Sequence, residues 1–66
     1  MRIIANGESR QVAEGISVEQ FLLDCGWRPT QVVVEQNGNV LPRKNLKSQI
    51  LRENDRIEII VPVAGG

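Results

Sequence analysis

Arg56-Ile57-Glu58-Ile59-Ile60-Val61 is a run in which β-branched aliphatic residues dominate, the composition that fits a pleated, half-buried surface. It reads as the last strand of the chain. Asn54-Asp55 supplies a turn in front of it. Pro62 follows it and has no N–H to give to a sheet ladder, so the strand is expected to stop there and Val63 to Gly66 to leave the sheet as a mobile arm. The arm ends in Ala64-Gly65-Gly66. Glycine has no Cβ, so such an arm can thread a narrow cleft and let a reacting group approach the last carbonyl. The terminal carboxylate is thereby the first candidate functional group, against the ordinary alternative of a frayed end.

Working back from that strand, Met1 to Ala5 is short, apolar and β-prone, Asn6-Gly7 is the favoured two-residue hairpin turn, and Glu8 to Val12 returns antiparallel. Ser17 with Gln20 three residues on matches a capping box. Val18, Phe21, Leu22 and Cys25 supply one apolar face of the helix it opens. Gly26 is placed to end that helix, and Pro29 stops it from resuming. Val32-Val33-Val34 is a strand closed by a turn at Asn37-Gly38, with a brief Val40-Leu41 strand before Pro42. Arg43 to Arg52 reads as irregular, with at most one helical turn. The order ββαββ plus a short strand gives an α+β class with one helix on one face of one mixed sheet. With the first and last strands side by side and parallel, joined through the helix, this is the β-grasp arrangement. Residues 1–61 form the domain and residues 62–66 the tail.

Sixty-six residues make one small domain, near the size at which a single core is only just sufficient, with a stability of roughly 3–10 kcal/mol. Eight Lys plus Arg balance eight Asp plus Glu, so no net field favours nucleic acid or an anionic membrane. With no histidine and one cysteine, ordinary zinc sites, imidazole acid/base chemistry and an internal disulfide framework are not expected. The apolar stretches are too short to span a bilayer and the N-terminus lacks a secretion signal, which makes a reducing cytoplasmic compartment the default expectation.

Three pieces taken in order carry a resemblance. They are Val34-Glu35-Gln36-Asn37-Gly38-Asn39-Val40-Leu41-Pro42-Arg43, then Leu51-Arg52-Glu53-Asn54-Asp55-Arg56-Ile57-Glu58-Ile59, and the Ala64-Gly65-Gly66 end. Together they resemble the thiamine-biosynthesis sulfur-carrier family (ThiS). The Pro62-Val63-Ala64-Gly65-Gly66 ending also resembles the small subunit of molybdopterin synthase, a relative with the same fold and terminal chemistry.

The resemblance implies a cosubstrate rather than an enzyme. An E1-like adenylyltransferase uses ATP and Mg²⁺ to adenylate Gly66. A sulfur donor such as a cysteine desulfurase then leaves a thiocarboxylate there, and thiazole synthase receives the sulfur. The protein itself binds no cofactor, and Gly65 and Ala64 serve tail recognition. A carboxylate is a poor electrophile and needs activation, whereas a sulfur anion is a strong nucleophile. Two other classes fit the same ending: a ubiquitin-like covalent modifier, whose activated glycine passes to a lysine amine, and a noncovalent β-grasp interaction module, in which the diglycine is incidental.

Ordering four or five tail residues in a partner's cleft costs about 1–2 kcal/mol each, so docking contacts elsewhere must offset it. Strand alternation suggests where. With Ile3, Val32, Val34, Ile57 and Ile59 facing the helix, Ile4, Val33 and Ile60 face away and form the candidate docking surface. The remaining candidates have plainer readings. Cys25 reads as a small hydrophobe of the helix face rather than a site of sulfur chemistry. Trp27 reads as packing back on the helix rather than anchoring a partner, and Arg43, Lys44 and Lys47 as a solvated basic face rather than a contact for an acidic surface. The pairs Glu53/Asp55 and Glu19/Asp24 read as turn and surface residues.

Overall fold

In the computed structural model, which describes residues 1–63, two Asn-Gly pairs build the hairpins. Asn6 and Gly7 have φ of 49° and 80°, and Asn37 and Gly38 have 52° and 86°. Positive φ at both central positions defines the type I′ turn, whose twist matches that of the strands it joins. The first pair connects β1 (Arg2–Ala5) to β2 (Glu8–Gln11), with Arg2 opposite Gln11 and Ala5 opposite Glu8. The second connects β3 (Val33–Gln36) to β4 (Asn39–Val40).

The last strand, β5 (Arg56–Ile60), occupies the middle of a five-stranded sheet of order β2-β1-β5-β3-β4. It runs parallel to β1, with Ile4 opposite Arg56 and Ala5 opposite Ile57, and antiparallel to β3, with Val33 opposite Ile60 and Gln36 opposite Ile57. The mixed sheet, with first and last strands adjacent, is the β-grasp arrangement expected from the sequence. β5 ends one residue earlier than the sequence reading has it, because Ile60 pairs with the first residue of β3 and Val61 finds no partner there. β3 in turn begins at Val33 rather than Val32. A 3₁₀ turn at Pro29–Gln31 delivers Val32 to the core in extended conformation, just ahead of the ladder.

The helix α1 (Val18–Asp24) starts after the expected cap, with Ser17 Oγ accepting the Gln20 N–H at 3.0 Å, while the Gln20 side chain donates onward to Asp24 Oδ1 at 2.8 Å rather than completing the box. Its other end closes as a Schellman motif: the Trp27 N–H donates to the Leu22 carbonyl at 2.9 Å and the Gly26 N–H to the Leu23 carbonyl at 3.0 Å. Gly26 sits at φ 88°, a conformation that glycine adopts without steric cost. Val18, Phe21 and Leu22 are buried against Ile3, Ala5, Val34 and Ile57 of the sheet.

Two further core residues, Leu46 and Leu51, come from the segment read as irregular. After a 3₁₀ turn at Arg43–Asn45, that segment lies across the start of α1. The carbonyls of Gln49 and Leu46 accept the N–H groups of Val18 and Glu19 at 2.8 and 3.0 Å, two donors that a helix cannot satisfy internally. The irregular stretch therefore caps the helix and closes the core from the side that the sheet does not reach.

Candidate functional site

The strand that leads to the C-terminus is the natural place to build from. Alternation along β5 puts Ile57 and Ile59 on the helix side and Arg56, Glu58 and Ile60 on the open side. Ile57 is fully buried and Ile60 is 43% exposed. Of the three residues assigned to the docking surface, Val33 and Ile60 lie directly opposite each other. Ile4 shares their face but stands opposite Arg56, about 13 Å along the strand from Ile60 at ~3.3 Å per residue. The structure thus brings two of the three together. Between them and Arg56 lies an acidic pair, Glu35 opposite Glu58, and beside Glu35 stands Val40, 62% exposed. Neither the acidic pair nor Val40 stands out in the sequence, because both depend on which strands become neighbours.

The tail residues assigned to sulfur carriage and recognition, Gly66, Gly65 and Ala64, lie outside the described residues. Up to that point the chain runs Val61-Pro62-Val63, all exposed and none in a strand. The end of β5 is held by a side chain as well as by β3. Asn6 Oδ1 accepts the Ile59 N–H at 2.7 Å, and Asn6 Nδ2 donates to the Ile59 carbonyl at 3.3 Å.

At the opposite end of β5 a polar cluster is built into the protein, and it corrects the reading of Asp55 as a surface turn residue. Asp55 is buried. Its carboxylate accepts from Gln36 Nε2 at 2.8 Å, Asn37 Nδ2 at 3.0 Å and the Arg52 N–H at 2.8 Å. Gln36 is itself buried and accepts from Gln49 Nε2 at 2.7 Å, while Asn37 Oδ1 accepts the Arg56 N–H at 2.9 Å. Burial by itself would raise the pKa of Asp55, but the hydrogen bonds from Asn37, Arg52 and Gln36, with the Arg52 charge, outweigh it and hold the pKa below the ordinary 3.8. No buried side-chain nitrogen or oxygen among the described residues lacks a partner. The cluster is a closed structural network that ties both turns flanking β5 to the segment under the helix, and it offers no free acid or base.

Cys25 is half-buried at the end of α1 and lies against the core. It also lines a cleft of about 400 Å³ together with Phe21, Trp27 and Arg10, on the helix side of the first hairpin. Trp27 is 36% exposed and its backbone closes the helix. Arg43 donates from Nε to the Pro29 carbonyl at 3.2 Å, while Lys44 and Lys47 are exposed. Among the described residues no three His, Cys, Asp or Glu side chains converge as a metal site, and no helix is long and apolar enough to cross a membrane.

Comparison with known proteins bears on the part the geometry leaves open. The family model described as the ThiS family matches residues 2–66, a span that includes the diglycine. The chain belongs to the ThiS family. The crystal structure of the thiamine biosynthesis protein (ThiS) from Geobacter metallireducens superposes with a TM-score of 0.87 at 29% identity, covering all of both chains. The sulfur carrier protein ThiS of Escherichia coli (strain K12) is 27% identical over 66 residues, the full length of both proteins. A thiazole synthase of Magnetococcus marinus is 35% identical over all 66 residues, which make up 20% of that protein, and a second thiazole synthase, from Paramagnetospirillum magneticum, is 29% identical over the same share. The chain thus spans about one fifth of the length of these two relatives.

Proposed function

We propose that this chain is a sulfur carrier of thiamine biosynthesis, with the carboxyl group of Gly66 as the atom-bearing site. The observation that carries the reading is the family match through residue 66, on a fold whose central strand runs out into the segment bearing the diglycine. In this reading an E1-like adenylyltransferase joins the Gly66 carboxylate to AMP from ATP, releasing pyrophosphate, with Mg²⁺ serving that enzyme. Sulfur brought as a persulfide by a donor such as a cysteine desulfurase then displaces AMP, and a thiol reductant cleaves the resulting S–S bond to leave Gly66 as a thiocarboxylate. Thiazole synthase takes the sulfur, and the likeness to two thiazole synthases supports that partnership. The chain is the sulfur-carrying cosubstrate and its partners supply the catalysis.

Docking falls to the open face of the sheet. Val33 and Ile60 form its apolar centre nearest the tail, Val40 adds to it across Glu35, and Ile4 contributes at the far end beside Arg56. The Glu35 and Glu58 carboxylates repel each other at adjacent positions, so a partner that brings a cation between them relieves that repulsion. The match to the ThiS family and to full-length ThiS proteins favours the thiamine pathway over that of molybdopterin. The test is mass analysis of the C-terminal peptide from protein purified from its own cells. A thiocarboxylate replaces one oxygen by sulfur and adds a defined mass located at Gly66. A terminus that stays an ordinary carboxylate after incubation with activating enzyme, ATP and sulfur donor contradicts the reading.

A further inference from the structure

We propose that Asn6 is a positioning residue for the C-terminal segment, acting through Ile59; the proposal rests on the carrier reading. The first hairpin turns away just where β5 needs a neighbour. The parallel ladder between β1 and β5 ends with Ala5 opposite Ile57, and the Asn6 N–H donates to the Ile57 carbonyl at 2.8 Å. One repeat further along, the Ile59 N–H and carbonyl point to the side that β1 has left. The Asn6 side chain meets both groups, accepting through Oδ1 at 2.7 Å and donating through Nδ2 at 3.3 Å. A carboxamide has the donor and acceptor of a peptide unit, so it lengthens the ladder by one residue without any strand being there.

The same residue performs a second task. Asn6 is the first central residue of the type I′ turn at φ 49°, and asparagine is among the few residues apart from glycine that accept this conformation. Glycine would serve the turn and lose the clamp. Aspartate would serve the turn and keep only the accepting half, since a carboxylate has no N–H to give. With Asn6 in place, β5 is held on both sides at its last two residues, by β3 through the pair Val33 and Ile60 and by Asn6 through Ile59. Ile60 also lies on the docking face. The clamp therefore fixes the point and direction from which Val61 departs relative to the surface a partner grips. Reaction at a terminus several residues away needs that geometry, because a displacement of about 1 Å at a reacting centre can cost 10²-fold in rate.

The experiment compares wild type, Asn6→Gly and Asn6→Asp, as full chains, in ATP-dependent adenylation by the cognate activating enzyme, alongside amide hydrogen exchange at Ile59. Asn6→Gly is expected to lower kcat about tenfold while KM for the carrier stays within about twofold, the pattern of lost positioning rather than lost docking. Its Ile59 amide should exchange faster than in wild type. Asn6→Asp should keep the Ile59 amide protected and recover part of kcat, a rescue that general destabilisation would not give. If Asn6→Gly fails to fold, Asn6→Asp carries the test through an intermediate kcat at unchanged KM. An unchanged kcat in Asn6→Gly, or a raised KM with kcat intact, overturns the positioning role and leaves the carrier reading standing. A wild-type chain that is not adenylated at all overturns both.

Discussion

Asp55, which leads into β5, and Ile60, which ends it, belong to one continuous stretch and are held in opposite ways. Asp55 is buried and accepts three hydrogen bonds, from Gln36 at the end of β3, from Asn37 in the turn after it and from the Arg52 N–H in its own turn. Ile60 is 43% exposed and held by its pairing with Val33, with the Asn6 clamp one residue before it. Rigidity at the start of the strand lets the end be spare. On the proposed carrier reading the asymmetry is useful, because a terminus that enters partner sites has an ordering cost that contacts on a folded surface offset. The comparison breaks if substitutions at the two ends prove equally costly to the fold, and it sharpens if stability and partner reactivity separate along the strand.

Ile57→Ala should cost the most. It empties space beneath α1 at a fully buried position, and truncations of this kind cost about 2–5 kcal/mol, a large share of what a domain this small possesses. Urea unfolding should show a collapsed midpoint or no cooperative transition. Asp55→Ala comes next, at about 2–4 kcal/mol, since it leaves the buried Gln36 donor and the part-buried Asn37 and Arg52 donors without their acceptor.

Asp55 also sets a dependence on pH. Its folded pKa lies below the ordinary 3.8, so as pH falls the unfolded chain takes up a proton before the folded one does. The stabilisation is fully present above 3.8 and is lost as pH falls through the lower folded value. Urea midpoints followed downward in pH should decline over that window in wild type, and the part of the decline due to this group should vanish in Asp55→Asn.

Ile60→Asp should have little effect on the fold, within about 0.5 kcal/mol for an exposed position, yet weaken binding to the activating enzyme. It adds a third carboxylate to a face that already carries Glu35 and Glu58. Titration calorimetry against wild type measures the loss, and equal affinities would remove the open face from the docking surface.

What could be read from the sequence divides along the same line as what is local and what is not. The type I′ turns at Asn6-Gly7 and Asn37-Gly38, the Ser17 cap and the Gly26 stop are written in neighbouring residues, and the structure has each in place. The face of each strand followed from alternation, so Ile3, Val34 and Ile57 were assignable to the core. Leu46 and Leu51 were not, because they sit in a segment with no period and are buried only by where it crosses α1. Asp55 looks like any turn aspartate until Gln36 and Asn37 are brought to it from across the sheet. Asn6 likewise reads as a turn residue, and its hold on Ile59 spans 53 residues of sequence. Val33 and Ile60 were placed on one face by alternation, but only the register makes them neighbours and sets Ile4 apart.

Deletion of Gly66 tests the central claim most directly, through pyrophosphate exchange with the cognate activating enzyme and urea unfolding of the same preparation. Removing one residue draws the terminal carboxylate back by about 3.3–3.6 Å along an extended chain, too far for the attack on the α-phosphate of ATP. The account predicts no exchange above background, together with an unfolding midpoint matching wild type. Full exchange by the deletion variant would contradict it, since Gly66 could then not be the residue on which sulfur is carried.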